Sequence, residues 1–191
     1  DDISDIKLSA NWMSSIMTDR LKQDLYETVE AISINFCSKI GITIPVGKDS
    51  LSMQTSWRNE GDQLINTAPL SLVISAFSPI KNVNGVITPQ LKNIKESKLL
   101  LIDLGQGKNR MGGSCLSQIY KQSFGETPDI QDPELLKSFF NAITELKSRN
   151  LIQAYHDRSD GGLFACVSEL AFAGNMGVEL SLDEESNEGT L

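Results

Sequence analysis

"AYHDRSDGGLFACVSELAFAGNMGVEL" spans Ala154 to Leu180 and holds the single histidine of the chain. "IQAYHD", Ile152 to Asp157, has the short apolar lead of a strand. "GGLFACVSELAFAG", Gly161 to Gly174, reads as a helix, and "GVELSL", Gly177 to Leu182, as a last strand. Strands and helices follow one another here without a strict βαβ beat, which predicts an α+β architecture of packed layers.

The turn between the first strand and the helix is dense in polar groups: His156, Asp157, Ser159, Asp160 and then Gly161 and Gly162. A strand-to-helix turn offers unpaired backbone N–H groups, and the helix dipole favours anions there. A nucleotide polyphosphate fits such a place. Asp157 has the carboxylate that Mg²⁺ prefers alongside phosphate oxygens. Ser159 can hydrogen-bond a phosphate or base, and the paired glycines let a ligand approach the backbone. The plainer alternative is that Ser159 or Asp160 caps the helix, worth about 1 kcal/mol, and that His156 is a packed strand end.

Working towards the N-terminus, "DPELLKSFFNAITELKSRN" predicts a helix with Asp132 at the N-cap and Pro133 at N1. Leu136, Phe139, Phe140, Ile143 and Leu146 form its inward face. "SKLLLIDLG" reads as a buried strand, and a helix opens near Ser114. Pro79, Asn84, Gly85 and Pro89 crowd one connection, and the domain boundary is expected there, dividing residues 1–80 from 81–191. "LSLVISAF", Leu70 to Phe77, predicts a strand buried on both faces. "ITIPVGKDSLSM" predicts a short strand ended by Pro45, then a glycine turn. Leu21, Leu25, Val29, Ile32, Phe36 and Ile40 recur at helical spacing, with Gly41 as the C′ residue. Helix 21–40 is expected to pack on strands that precede this boundary, and helix 132–149 on strands that follow it.

The 191 residues are 40% hydrophobic and 22% charged, as in a globular protein with a buried core. A formal charge of −8 leaves no basic excess for nucleic acid or an anionic membrane, so neither is an expected partner. Cys37, Cys115 and Cys166 show neither disulfide-framework nor zinc spacing, and read as structural thiols of a reducing compartment. No apolar run approaches the about 18 residues of a membrane span, and no signal peptide is visible. The chain reads as cytoplasmic. It starts without methionine, on a strand-like "IKLSA", as a piece of a longer polypeptide would.

Two further stretches share the style of the histidine turn. "PVGKDSLSM" sets Lys48, Asp49 and Ser50 beyond a glycine. Lysine can meet a phosphate as a point charge, and Asp49 a metal or ribose hydroxyl; an ordinary solvated turn is the alternative. P-loop spacing is absent. "LGQGKNRMGGSCLSQ" joins Gly105, Gly107, Gly112 and Gly113 to Lys108 and Arg110, which suits phosphate contact or simply a mobile loop.

Together with "LSANWM" and "SAFSPIKNVNGVITPQL", these stretches resemble, in order and over nearly the whole chain, the second half of the large-type phosphoribosylformylglycinamidine synthase family. The resemblance implies the PurM-like ATP-binding superfamily: the end of a PurM N-like domain in 1–80, then a PurM C-like α/β domain in 81–191. It implies an ATP-dependent C–N ligase of purine biosynthesis, a glutamine amidotransferase converting formylglycinamide to formylglycinamidine ribonucleotide. ATP phosphorylates the substrate amide oxygen there, and ammonia then displaces phosphate. By the same resemblance Asp157 matches a Mg²⁺ ligand and Ser159 an ATP/ADP contact, and no catalytic residue carries over. The remaining metal ligands match positions upstream of Asp1. The implied partners are the rest of the same polypeptide: the first PurM-like half, the upstream second-half segment and a glutaminase domain. Two rivals stay open. One is a non-catalytic auxiliary nucleotide-binding and scaffolding module of that enzyme. The other is a kinase related to thiamine-monophosphate kinase, which shares D-x-S-D-G but lacks "PVGKDSLSM". The chain alone is expected to lack synthetase and glutaminase activity.

Overall fold

Lys7–Met13 form β1, the strand around which the first unit is built. Side chains of a strand alternate between faces. Leu8, Ala10 and Trp12 accordingly fall on one side and are buried, at 8%, 1% and 6% exposure. A computed structural model of the chain describes residues 2–181. By packing, they divide into two units between Lys81 and Asn82. Both helices and sheets are present, as the α+β reading expected.

In the first unit, β2 (Thr43–Ser50) lies parallel to β1. A second neighbour, β5 (Ser71–Phe77), lies antiparallel to it, giving the order β2-β1-β5. Pro45 does not end the strand. Lys7 pairs with Thr43 but Ser9 with Val46, so β2 carries one extra residue where the proline sits. A bulge on an edge strand tolerates the missing N–H. Gly47 therefore lies within the strand, its Cβ direction facing Trp12 at 3.6 Å. Nor is β5 buried on both faces: it is the other edge of the sheet, and Val73 and Phe77 are 53% and 61% exposed. Between β2 and β5 lies a hairpin unforeseen in the sequence, β3 (Gln54–Asn59) and β4 (Asp62–Thr67). Its two-residue turn has Glu60 at φ 53° and Gly61 at φ 100°, the positive angles that match strand twist.

The helical periodicity at 21–40 is realised as one continuous run. Thr18 caps α1 (Asp19–Glu30) by accepting from Leu21 N at 3.3 Å. A wider π-helical stretch, Ala31–Cys37, follows, and then α2 (Ser38–Ile40). Gly41 ends it at φ 82°, the left-handed C-terminal position expected of it. Cys37 and Ile40 anchor the run, both buried, and its π-helical part lies against β2.

The second unit contains α3 (Cys115–Tyr120), α4 (Pro133–Ser148) and α5 (Gly162–Gly174). The start of α4 is as predicted: Asp132 Oδ1 accepts from Glu134 N at 2.9 Å and Leu135 N at 3.3 Å, and proline opens the helix. The three strands expected here do not form ladders among the described residues. Leu99, Leu100, Leu101 and Ile102 are 48% to 77% exposed rather than buried. A β pattern needs a second segment in register, and no described segment is aligned with this one; propensity alone makes no ladder. At Ile152–Asp157 the backbone makes one such cross-link, Tyr155 N to Thr88 O at 3.1 Å. Gly177–Ser181 has no ladder either, and Leu182 lies outside the described residues. Among the described residues, no strand follows the boundary for α4 to pack on, against the expectation.

Candidate functional site

The turn at His156–Gly162 is set by glycine geometry rather than by a side-chain cap. Gly161 is the N-cap of α5 at φ 85°, and no side chain accepts from the first helical N–H groups. The backbone closes on itself instead, Gly162 N donating to Ser159 O at 3.0 Å and Ala165 N to Gly161 O at 3.3 Å. The expectation that Ser159 or Asp160 caps this helix is therefore corrected. A left-handed cap turns the chain sharply, and a Cβ on Gly161 would stand 2.5 Å from Ala165 Cβ. With no role in capping, the Asp157, Ser159 and Asp160 side chains are all exposed.

His156 is not merely a packed strand end. Its Nε2 is 2.5 Å from Glu169 Oε2, and its Nδ1 is 3.4 Å from Asp157 Oδ1. The bond to Glu169, helped by Asp157, raises the histidine pKa above its ordinary value. Glu169 was not picked out in the sequence. A signal existed: it is the single charged residue in the apolar helix Gly162–Gly174 that follows the single histidine. Its carboxylate is committed to the imidazole. Asp157, 74% exposed, and Asp160 are the carboxylates of the turn that face solvent.

Mg²⁺ usually takes one or two carboxylates and fills its remaining positions with water and phosphate oxygens. Asp157 can be one such ligand. No group of three or more His, Cys, Asp or Glu side chains converges among the described residues.

Within the same unit, the glycine loop is organised by Asp103. Its carboxylate accepts from Gly107 N at 2.6 Å and Gly105 N at 2.8 Å. Those two bonds, followed by the Arg158 charge, hold the Asp103 pKa below the usual carboxylate value. Arg158 belongs to the histidine turn, so the two motifs share one electrostatic neighbourhood. The "mobile loop" alternative is not what the loop's bonding looks like: Lys108 Nζ also bonds Gln131 Oε1 at 2.8 Å. Lys48 and Asp49 belong to the first unit, on β2 and not in a turn, beside Asn11 and Trp12 of β1. Lys48 Nζ contacts Ser50 Oγ at 3.2 Å.

Of the cysteines, Cys37 and Cys166 are buried, and burial raises both thiol pKa values. Cys115 is exposed in the first turn of α3. No helix among the described residues is long and apolar enough to cross a membrane.

Residues 1–79 match the FGAR-AT PurM_N-like domain, and residues 95–190 match the AIR synthase related protein C-terminal domain. The chain is 48% identical over 186 residues to the phosphoribosylformylglycinamidine synthase of Schizosaccharomyces pombe. That alignment covers 96% of the chain and 14% of the length of that relative.

Proposed function

The chain belongs to the AIR synthase related protein family, with an FGAR-AT PurM_N-like domain preceding the family's C-terminal domain, and on that premise we propose that it forms part of a phosphoribosylformylglycinamidine synthase. Its role in that ligase is to hold a Mg²⁺-bound ATP or ADP at the His156–Gly162 turn. The observation that carries the assignment to the enzyme is the 48% identity running through 96% of the chain. The boundary we adopt, 1–80 for the end of the N-like domain and 81–191 for the C-like domain, is close to the division by packing after Lys81.

For the site, Asp157 supplies one metal ligand and Ser159 one nucleotide contact. A metal bound there neutralises phosphate charge, which together with positioning dominates phosphoryl transfer. The residues around it have their own tasks. Gly161 turns the chain so that both side chains stand clear of the helix. Glu169 fixes the His156 ring, and His156 contacts the Asp157 carboxylate from behind. Partners are the rest of a longer polypeptide in the cytoplasm, including its glutaminase, which would supply ammonia.

In the complete polypeptide, Asp157→Asn should purify with nucleotide and magnesium depleted and with its circular dichroism unchanged. Undiminished nucleotide and magnesium in that variant would remove Asp157 and the turn from the site. Full synthetase turnover despite nucleotide loss would instead favour the auxiliary, structural reading of the same turn. The chain by itself should form no product from ammonia and ATP, and ATP-dependent product formation by it would overturn the division of labour.

A further inference from the structure

Arg110, in the glycine loop, has an unusual environment for an arginine. Its Nε and Nη2 are shielded from solvent and, among the described residues, neither has a hydrogen-bond partner, while the residue as a whole keeps partial exposure. In a planar guanidinium those two nitrogens share one edge, and their N–H bonds run parallel. That edge is the one that grips an oxyanion through two bonds at once. A shielded cation without a partner is unfavourable, and in folded proteins such groups are paired.

The loop has little freedom to carry the arginine elsewhere. On one side, Asp103 clamps Gly105 and Gly107, and Lys108 is tied to Gln131. Beyond it, Gly112 N donates to Glu126 O at 2.8 Å. The approach there is so close that a Cβ on Gly112 would stand 2.4 Å from Gly125 O. Between Leu104 and Gly113 there are two cations, Lys108 and Arg110, and no acidic residue. The segment is held and carries two cations, while the adjacent Asp103 carboxylate is spent on the backbone N–H groups of Gly105 and Gly107.

We propose that the Nε/Nη2 edge of Arg110 is a phosphate-binding point, separate from the Asp157–Ser159 turn, that takes the phosphate monoester group of a small ligand. Phosphate is favoured over a carboxylate because two positive charges two residues apart suit a dianion better than a monoanion. This goes beyond the proposed nucleotide site and stands without it.

Inorganic phosphate is the probe, titrated into the chain at constant ionic strength held with sodium chloride. Melting temperature and calorimetric heat are the readouts. The expected result is saturable stabilisation. Arg110→Lys, which keeps the charge and loses the fork, should weaken it at least tenfold, and Asp157→Asn should leave it unchanged. An absent or unsaturable response would overturn the proposal. So would equal affinity in Arg110→Lys, loss in Asp157→Asn alone, or acetate binding as tightly as phosphate. Should the arginine variants fail to fold, phenylglyoxal modification of the unaltered chain decides. Phosphate should slow labelling of Arg110 as read by mass spectrometry, and equal labelling with and without phosphate refutes the site.

Discussion

Replacing Gly161 by alanine tests the geometry that frees the Asp157 and Ser159 side chains. Two costs follow from the structure. Gly161 has φ 85° and ψ −1°, a conformation that costs a residue with a Cβ about 1–2 kcal/mol. The new methyl would also stand 2.5 Å from Ala165 Cβ, an overlap of the kind that costs about 1–3 kcal/mol to relieve. Gly161→Ala should thus destabilise the second unit by about 2–5 kcal/mol in urea unfolding followed by far-ultraviolet circular dichroism. Only the second cost depends on Ala165, so the two can be separated. Ala165→Gly alone should cost about 1 kcal/mol, the usual loss for glycine in a helix. The double variant should then be more stable than the sum of the singles by about the overlap, 1–3 kcal/mol. Asp160→Ala is the control, expected within about 0.5 kcal/mol of the parent because its side chain caps nothing. Additivity of the two glycine–alanine exchanges to within about 0.5 kcal/mol would refute the packing argument. A loss of about 1 kcal/mol in Asp160→Ala would restore the side-chain cap.

Two other outcomes follow from the same unit and its neighbour. Alkylation of the native chain with iodoacetamide should label Cys115 at the rate of a free thiol and leave Cys37 and Cys166 unmodified until denaturant is added; fast native labelling of either buried thiol would contradict their packing. Because the His156 pKa is raised, its pairing with Glu169 stabilises the fold fully below the ordinary histidine value of about 6.5. That contribution disappears as pH rises through the higher folded value. Glu169→Gln should flatten this fall in stability, and an unchanged pH profile would disprove the linkage.

How much of this was legible in the sequence depended on whether the relevant force was local. The cap at Asp132, the stop at Gly41 and the long helix face from Leu21 to Ile40 are decided within a few residues, and each was readable. The resemblance that identified the family was equally direct, because it lay in runs of adjacent residues. Pro45 misled because its tolerance depends on β2 being an edge, which is a property of strand order and not of the residue. Leu99–Ile102 misled for a related reason: an apolar β-like run states a preference, and its burial depends on another segment. At the site, the exposed carboxylate of Asp157 was readable from its turn. The role of Glu169 was not weighed, since two turns of helix separate it from His156 and only the folded turn brings them together. The cap misassignment came from composition: serine and aspartate commonly cap helices, but here Gly161 takes the position itself.

The run Leu99–Ile102 has a colloidal consequence. It presents apolar side chains on a backbone without a β ladder, and such a segment is a template on which a second molecule can pair. Against that stands the formal charge of −8, which makes molecules of this chain repel one another at neutral pH. The two act over different distances. Charge repulsion extends to about a Debye length, about 8 Å at physiological ionic strength, whereas strand pairing begins only at contact. Solubility of the chain is therefore set by ionic strength as much as by concentration. Salt, usually added to keep a protein in solution, would in this case thin the barrier and let the sticky run of leucines find its own copy.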